Sequence, residues 1–143
     1  MVDRISHIGI LVHDADAASE IWRAAFGFEK FDEINVEVEG VRSIFMSMSG
    51  KPGEMAIEIM EPLDKDDMDN ALARRLARQG EGFYHVCLEV GDTAASAKAL
   101  ADSGMTVMHR PAVKADAAGR WVVHPKDANG VMVEGIEPDS VLG

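Results

Sequence analysis

Apolar residues recur along this chain with two periods that take turns. In "RISHIGILV" (residues 4–12) the period is two, which puts Ile8, Ile10 and Val12 on one face of a strand and His7, Gly9 and Leu11 on the other. "DADAASEIWRAAFG" then reads as a helix: Asp14 or Asp16 can cap the free amides of its first turn, and Gly27 can supply the left-handed residue that stops it. Strands are expected next in "EKFDEINVEV", "VRSIFMSM" and "EMAIEIM". From "FYHVCLEV" the order starts again, with the helix "TAASAKALADSG" and the strands "TVMHRPAV", "GRWVVHP" and "GVMVEGI". Between the two runs, "DKDDMDNALARRLARQGEG" carries its acidic residues first and Arg74, Arg75 and Arg78 later. That order suits a helix dipole and predicts a connecting helix over about residues 64–80.

The second run is a copy of the first. His7 and His85 lie 78 positions apart, as do Asp14 and Asp92; Gly27 and Gly104 lie 77 apart, and Glu58 and Glu134 lie 76 apart. Four landmarks that drift by only two positions mark an internal duplication. The expected fold is therefore α+β: a single domain over residues 1–143, made of two tandem βαβββ modules (about 1–63 and 81–138). Their strands should form one curved mixed sheet around a cleft, with the helices outside.

Composition narrows the partners. A formal charge of −11 repels phosphate backbones and anionic lipid, so neither nucleic acid nor membrane is expected to bind. With 47% hydrophobic residues the chain can build a real core. The single cysteine, Cys87, cannot form an internal disulfide. "MVDR" leads straight into the first strand pattern and no apolar run is long enough to span a bilayer, so a soluble, unprocessed, cytoplasmic protein is expected.

Strand alternation places the chemistry. If Ile8, Ile10, Val12, Val86, Leu88 and Val90 lie under the helices, then His7 and His85 face the opposite side, together with Cys87 and Glu89. In "MAIEIM" the helix side takes Ile57 and Ile59, and Glu58 faces the cleft with Ala56 and Met60. In "VMVEGI" the helix side takes Val131 and Val133, and Glu134 faces the cleft with Met132. One strand histidine is ordinarily a hydrogen-bonded core residue, and one strand glutamate is ordinarily solvated. Two of each, brought to one face by a duplication, form a donor set for an octahedral metal with two positions left for substrate. We expect one divalent ion per chain, held by His7, Glu58, His85 and Glu134; cobalt, manganese, nickel, zinc and iron all suit such donors.

The other notable side chains receive plainer readings. His13 is expected at the surface or in a helix cap, His109 has no counterpart in the first module, and His124 precedes Pro125 in a structural turn or at the cleft. Cys87 is expected to line the cleft as a small residue without a base arranged for it. Trp22 and Phe26, at i and i+4 on the first helix, are expected to pack in the core.

These residues resemble the vicinal oxygen chelate superfamily, whose members pair βαβββ modules around a divalent metal. The resemblance covers essentially the whole chain and is strongest to the methylmalonyl-CoA epimerases, through "HIGILVHD", "IEIMEPL", "GEGFYHVCLEV" and "HPKDANGVMVE". It implies the same four ligands, His7, Glu58, His85 and Glu134, and a metal-dependent epimerase or isomerase that removes a proton next to a carbonyl through a metal-stabilised enolate. Glu134 is implied as the carboxylate that also moves the proton. The substrate implied is an acyl-CoA, Trp121 falls where the epimerases approach it, and a homodimer is expected. Ser43 stands where some epimerases carry a glutamate proposed as a second acid or base, and "VKADAAGRW" replaces a glycine-rich loop. A glyoxalase-I-like lyase acting on a thiol adduct is the nearest alternative, and a non-catalytic binding module of the same fold is the other.

Overall fold

The computed structural model of the chain describes residues 1–138. Its elements run β1 (Val2–Leu11), α1 (Ala15–Phe26), β2 (Glu29–Val36), β3 (Val41–Ser47), β4 (Ala56–Pro62), α2 (Ala71–Gln79), β5 (Gly82–Val90), α3 (Thr93–Asp102), β6 (Val107–Arg110), β7 (Arg120–Val123) and β8 (Met132–Ile136). This is the expected α+β arrangement, βαβββ twice with a helix between. The eight strands join one sheet in the order β2-β3-β4-β1-β5-β8-β7-β6. The sheet is mixed, because β5 and β8 run parallel while β2–β3, β3–β4, β6–β7 and β7–β8 are antiparallel. By internal contacts the chain divides into residues 9–83 and residues 1–8 with 84 onward, so one boundary falls inside β1 and the other just after α2.

The duplication extends to the way each helix starts. Asp14 caps α1 by accepting from the Ala17 amide at 3.0 Å, and Asp92 caps α3 by accepting from the Ala95 amide at 2.9 Å. Each such cap is worth about 1 kcal/mol. A second carboxylate repeats as well: Glu61 accepts from the Ala15 amide and Glu137 from the Thr93 amide, both at 2.9 Å. In each module, then, the chain three residues after the expected ligand glutamate is fastened to the start of that module's helix. Gly27 closes α1 in the left-handed region at φ 80°, the conformation for which it was singled out.

The linker differs from its expectation. Its helix is only Ala71–Gln79, capped by Asn70, whose side chain accepts from the Ala73 amide at 2.9 Å. The acidic residues lie ahead of it: Asp64 and Asp67 accept from the amides of Asp66 and Asp69, two positions on, and so favour turns over helix. Asn70 also donates to the Glu39 carbonyl at 2.8 Å, which fastens the helix to the β2–β3 turn.

Beneath α3, Val90, Ala97, Trp121 and Val123 form a buried cluster against which Leu100, Met105, Val107 and Val133 pack. Val90 and Val133 therefore do lie under their helix. Trp121 is a correction: it sits in this core, 2% exposed, and donates its indole N–H to the Ser96 hydroxyl at 2.8 Å. Its ring covers Gly135, its register partner on β8, so closely that a Cβ there would lie 2.1 Å from the indole. Alternation explains the placement, since Trp121 and Val123 share the helix-facing side of β7.

The first helix supplies the second correction. Ala15 and Ala18 are buried on α1 and Trp22 is half-buried, but Phe26 is 56% exposed. Trp22 and Phe26 do meet, with ring centroids 5.0 Å apart, and Phe28 comes within 5.5 Å of Trp22. The i, i+4 spacing fixed their contact with each other; at the last turn of a helix it does not fix contact with a core.

Candidate metal centre

The histidine-bearing positions along the middle of β1 and β5 are deeply buried. His7, Gly9 and Leu11 on β1 and His85 and Cys87 on β5 are buried, whereas Ile8, Ile10, Val86 and Leu88 are only half-buried. On β4 the whole run from Ala56 to Met60 is buried. Phe45, the register partner of Glu58 on β3, is fully buried too. Register partners on adjacent strands point to the same face, so the side that carries Glu58 is a packed interior.

His7, His85, Cys87 and Glu134 come together in one unit. The imidazoles of His7 and His85 meet edge to face, with centroids 5.4 Å apart and planes at 86°. The ring of Tyr84 stands 5.7 Å from that of His85. Nδ1 of His7 lies 3.2 Å from the buried Ser6 hydroxyl, a contact that can fix the ring's tautomer. One donor atom from each of His7, Cys87 and Glu134 falls within 4.8 Å of the other two. Cys87 and Glu134 are register partners across the parallel β5–β8 pair, and the thiol donates to Oε1 of the glutamate at 3.5 Å. Cys87 thus faces the site as expected, and it adds a contact to a site residue that sequence reasoning did not give it.

Arg120 was not singled out in the sequence. It is buried, donates from Nε to the Pro111 carbonyl at 3.0 Å, and donates from Nη1 to Oε2 of Glu134 at 3.4 Å. Its signal lay in the alternation of β7: with Trp121 and Val123 turned to the helix, Arg120 and Val122 face the side of Glu134.

In the other unit Glu58 is buried, and its Oε2 accepts from the Ser43 hydroxyl at 2.6 Å. A buried carboxylate is costly unless hydrogen bonds or a cation compensate it, and Ser43 provides part of that compensation. The remaining histidines are peripheral. His13 is exposed and its amide donates to Glu81 at 2.9 Å, His109 is exposed on β6, and His124 is exposed and accepts from the Lys126 amide at 3.0 Å as a turn cap. No helix among the described residues is long and apolar enough to cross a membrane.

Comparison with known proteins gives concordant matches. The profile of the Glyoxalase/Bleomycin resistance protein/Dioxygenase superfamily matches residues 6–124. The ethylmalonyl-CoA/methylmalonyl-CoA epimerase of Cereibacter sphaeroides is 31% identical over 137 residues, covering 94% of this chain and 97% of that protein. Among solved structures, a variant of Streptomyces coelicolor methylmalonyl-CoA epimerase in complex with 2-nitronate-propionyl-CoA superposes with a TM-score of 0.84 at 32% identity, covering 100% of this chain and 99% of that one. The methylmalonyl-CoA epimerase of Mycobacterium tuberculosis gives 0.82 at 29% identity, covering 96% and 89%.

Proposed function

The chain belongs to the glyoxalase/bleomycin resistance protein/dioxygenase superfamily, and we propose on that footing that it is a metal-dependent epimerase of 2-carboxyacyl-CoA thioesters of the methylmalonyl-CoA kind. The observation that carries the reading is the donor set. Two imidazoles and two carboxylates stand at equivalent places in the two modules, and within one unit donor atoms of His7, Cys87 and Glu134 fall within 4.8 Å of one another. Such a set fits a divalent ion of the cobalt, manganese, nickel, zinc or iron type. We assign His7, Glu58, His85 and Glu134 as its ligands.

A divalent ion bound there supplies Lewis-acid stabilisation of the negative charge that grows on the substrate's carbonyl oxygen as the neighbouring C–H proton leaves. The protein's own groups do the rest. Ser6 orients His7 through Nδ1 and so turns Nε2 to the ligand position. Glu134 accepts the proton, and the buried surroundings of His7, His85 and Cys87 keep bulk water away from the reacting carbon. Epimerisation then requires the proton to return on the opposite face of that carbon.

The test is one resolved epimer of methylmalonyl-CoA in heavy water, with protein shown by elemental analysis to carry about one divalent ion per chain. Interconversion of the epimers, with deuterium entering at C2, is the expected result. Conversion of a 2-oxo thiol adduct alone would transfer the function to the glyoxalase-like class, and inertness towards both would leave a binding module. Protein that neither retains a metal nor takes up cobalt or manganese would remove the metal reading.

A cytoplasmic homodimer completes the proposal. The sheet ends in the edges β2 and β6, and Ile21 and Phe26 stand exposed on α1. Light scattering should give twice the 15.5 kDa of one chain; a monomer would remove the dimer and nothing else.

A further inference from the structure

The two modules support their glutamates from the same place. On the antiparallel β3–β4 pair, Phe45 is the register partner of Glu58 and Ser43 stands two residues before it. On the β7–β8 pair, Val122 is the register partner of Glu134 and Arg120 stands two residues before it. Ser43 and Arg120 are thus equivalent positions of the duplication, 77 apart in the chain. Both are buried, and each donates to Oε2 of its own module's glutamate, at 2.6 Å from the serine hydroxyl and at 3.4 Å from the guanidinium.

We propose that Ser43 and Arg120 are paired positioning residues, each holding one oxygen of its module's glutamate so that the carboxylate presents a fixed edge to a bound metal ion. The inference rests on the metal reading above and deepens it. Donors of this kind set the orientation and basicity of a ligand, and their loss typically costs about 10-fold to 100-fold in metal affinity. The two donors differ in one respect that makes the idea testable. Ser43 is neutral, so removing its hydroxyl changes only the hydrogen bond. Arg120 is a cation, so removing it takes a positive charge away from the neighbourhood of a positive ion. If charge alone mattered, an Arg120 variant would bind metal more tightly. Weaker binding that persists at a pH high enough to keep Glu134 ionised therefore reports lost positioning. The guanidinium suits this task because its Nε is already fixed on the Pro111 carbonyl, which leaves Nη1 aimed at the carboxylate.

The experiment is calorimetric titration of the full-length, chelator-stripped protein with Co²⁺, read together with the visible absorption of the bound cobalt. Ser43→Ala and Arg120→Met are each expected to bind about 10-fold or more weakly than the unsubstituted chain and to shift the cobalt bands, while Ser43→Thr, which keeps the hydroxyl, is expected within about threefold. Far-UV circular dichroism identifies a variant that does not fold. If the threonine variant is one, Ser43→Cys replaces it and is expected between serine and alanine, since a thiol is the weaker donor. Unchanged or tighter binding by either Ser43→Ala or Arg120→Met overturns the inference, as does a threonine variant as weak as the alanine one. Failure of the unsubstituted chain to bind Co²⁺ is a separate result, which overturns the metal reading itself.

Discussion

Glu134→Gln is expected to slow hydrogen–deuterium exchange at C2 of methylmalonyl-CoA by about 100-fold to 10,000-fold, the usual contribution of a positioned acid or base. The same variant should lose much less in metal binding, because an amide oxygen can still face the ion while the amide cannot accept a proton. Exchange is a better measure than turnover, since it registers proton removal whether or not the opposite epimer forms. Arg120 donates to Oε2 and the Cys87 thiol to Oε1, so the glutamine can keep its oxygen on the guanidinium only with its NH2 turned to Cys87, whose sulfur then becomes the acceptor. Exchange at the unsubstituted rate in metallated Glu134→Gln protein would take the proton-transfer role from this residue. Equal loss of exchange and of metal would reduce it to a ligand.

Trp121→Ala is expected to cost about 3–5 kcal/mol of folding stability, the range for removing a large aromatic from a core. The cavity would open among Val90, Ala97 and Val123, and the Ser96 hydroxyl would lose its indole partner. Gly135→Ala attacks the same contact from the other strand. A methyl 2.1 Å from the indole must displace the ring or bend β8, and such overpacking costs about 1–3 kcal/mol. Urea unfolding followed by tryptophan fluorescence and circular dichroism measures both. A residue that lined a substrate cleft would behave differently, changing the Michaelis constant while stability stayed level. That outcome for Trp121→Ala would contradict the placement beneath α3.

The element order was legible because strand alternation and helix caps are local signals. Asp14, Asp92 and Gly27 each do what their residue type predicts. The duplication was legible because four landmarks keep nearly constant spacing, and the faces of β1, β4, β5 and β8 then followed from parity. What parity cannot supply is depth. It put His7 and Ile8 on opposite faces but could not tell that His7 is buried while Ile8 is only half-buried, because burial depends on what the rest of the fold brings to each face. Arg120 was missed for a related reason. It opens a strand of only four residues after an irregular stretch, and an arginine there reads as surface until Trp121 beside it is known to point inward. Phe26 was misplaced by reading a spacing as an address: two residues on one helical stripe share a direction, and the stripe can still run off the end of its support.

The parallel pairing of β5 with β8 has a consequence for the order of assembly. Cys87 and Glu134 face one another across that pair although 47 positions separate them in the chain. Two parallel strands cannot be joined by a tight turn, so α3, β6 and β7 must all be traversed before β8 can dock. The closure entropy of that long loop has to be met before the thiol, the guanidinium and the carboxylate meet. Until then a nascent chain holds His7 and His85 without Glu134, and an ion finds an incomplete set of donors. If an ion binds with Glu134 among its ligands, as proposed, it would act as a latch on the finished protein and not as a seed for its folding: it would retard the undocking of β8 and leave the rate of first docking to the chain itself.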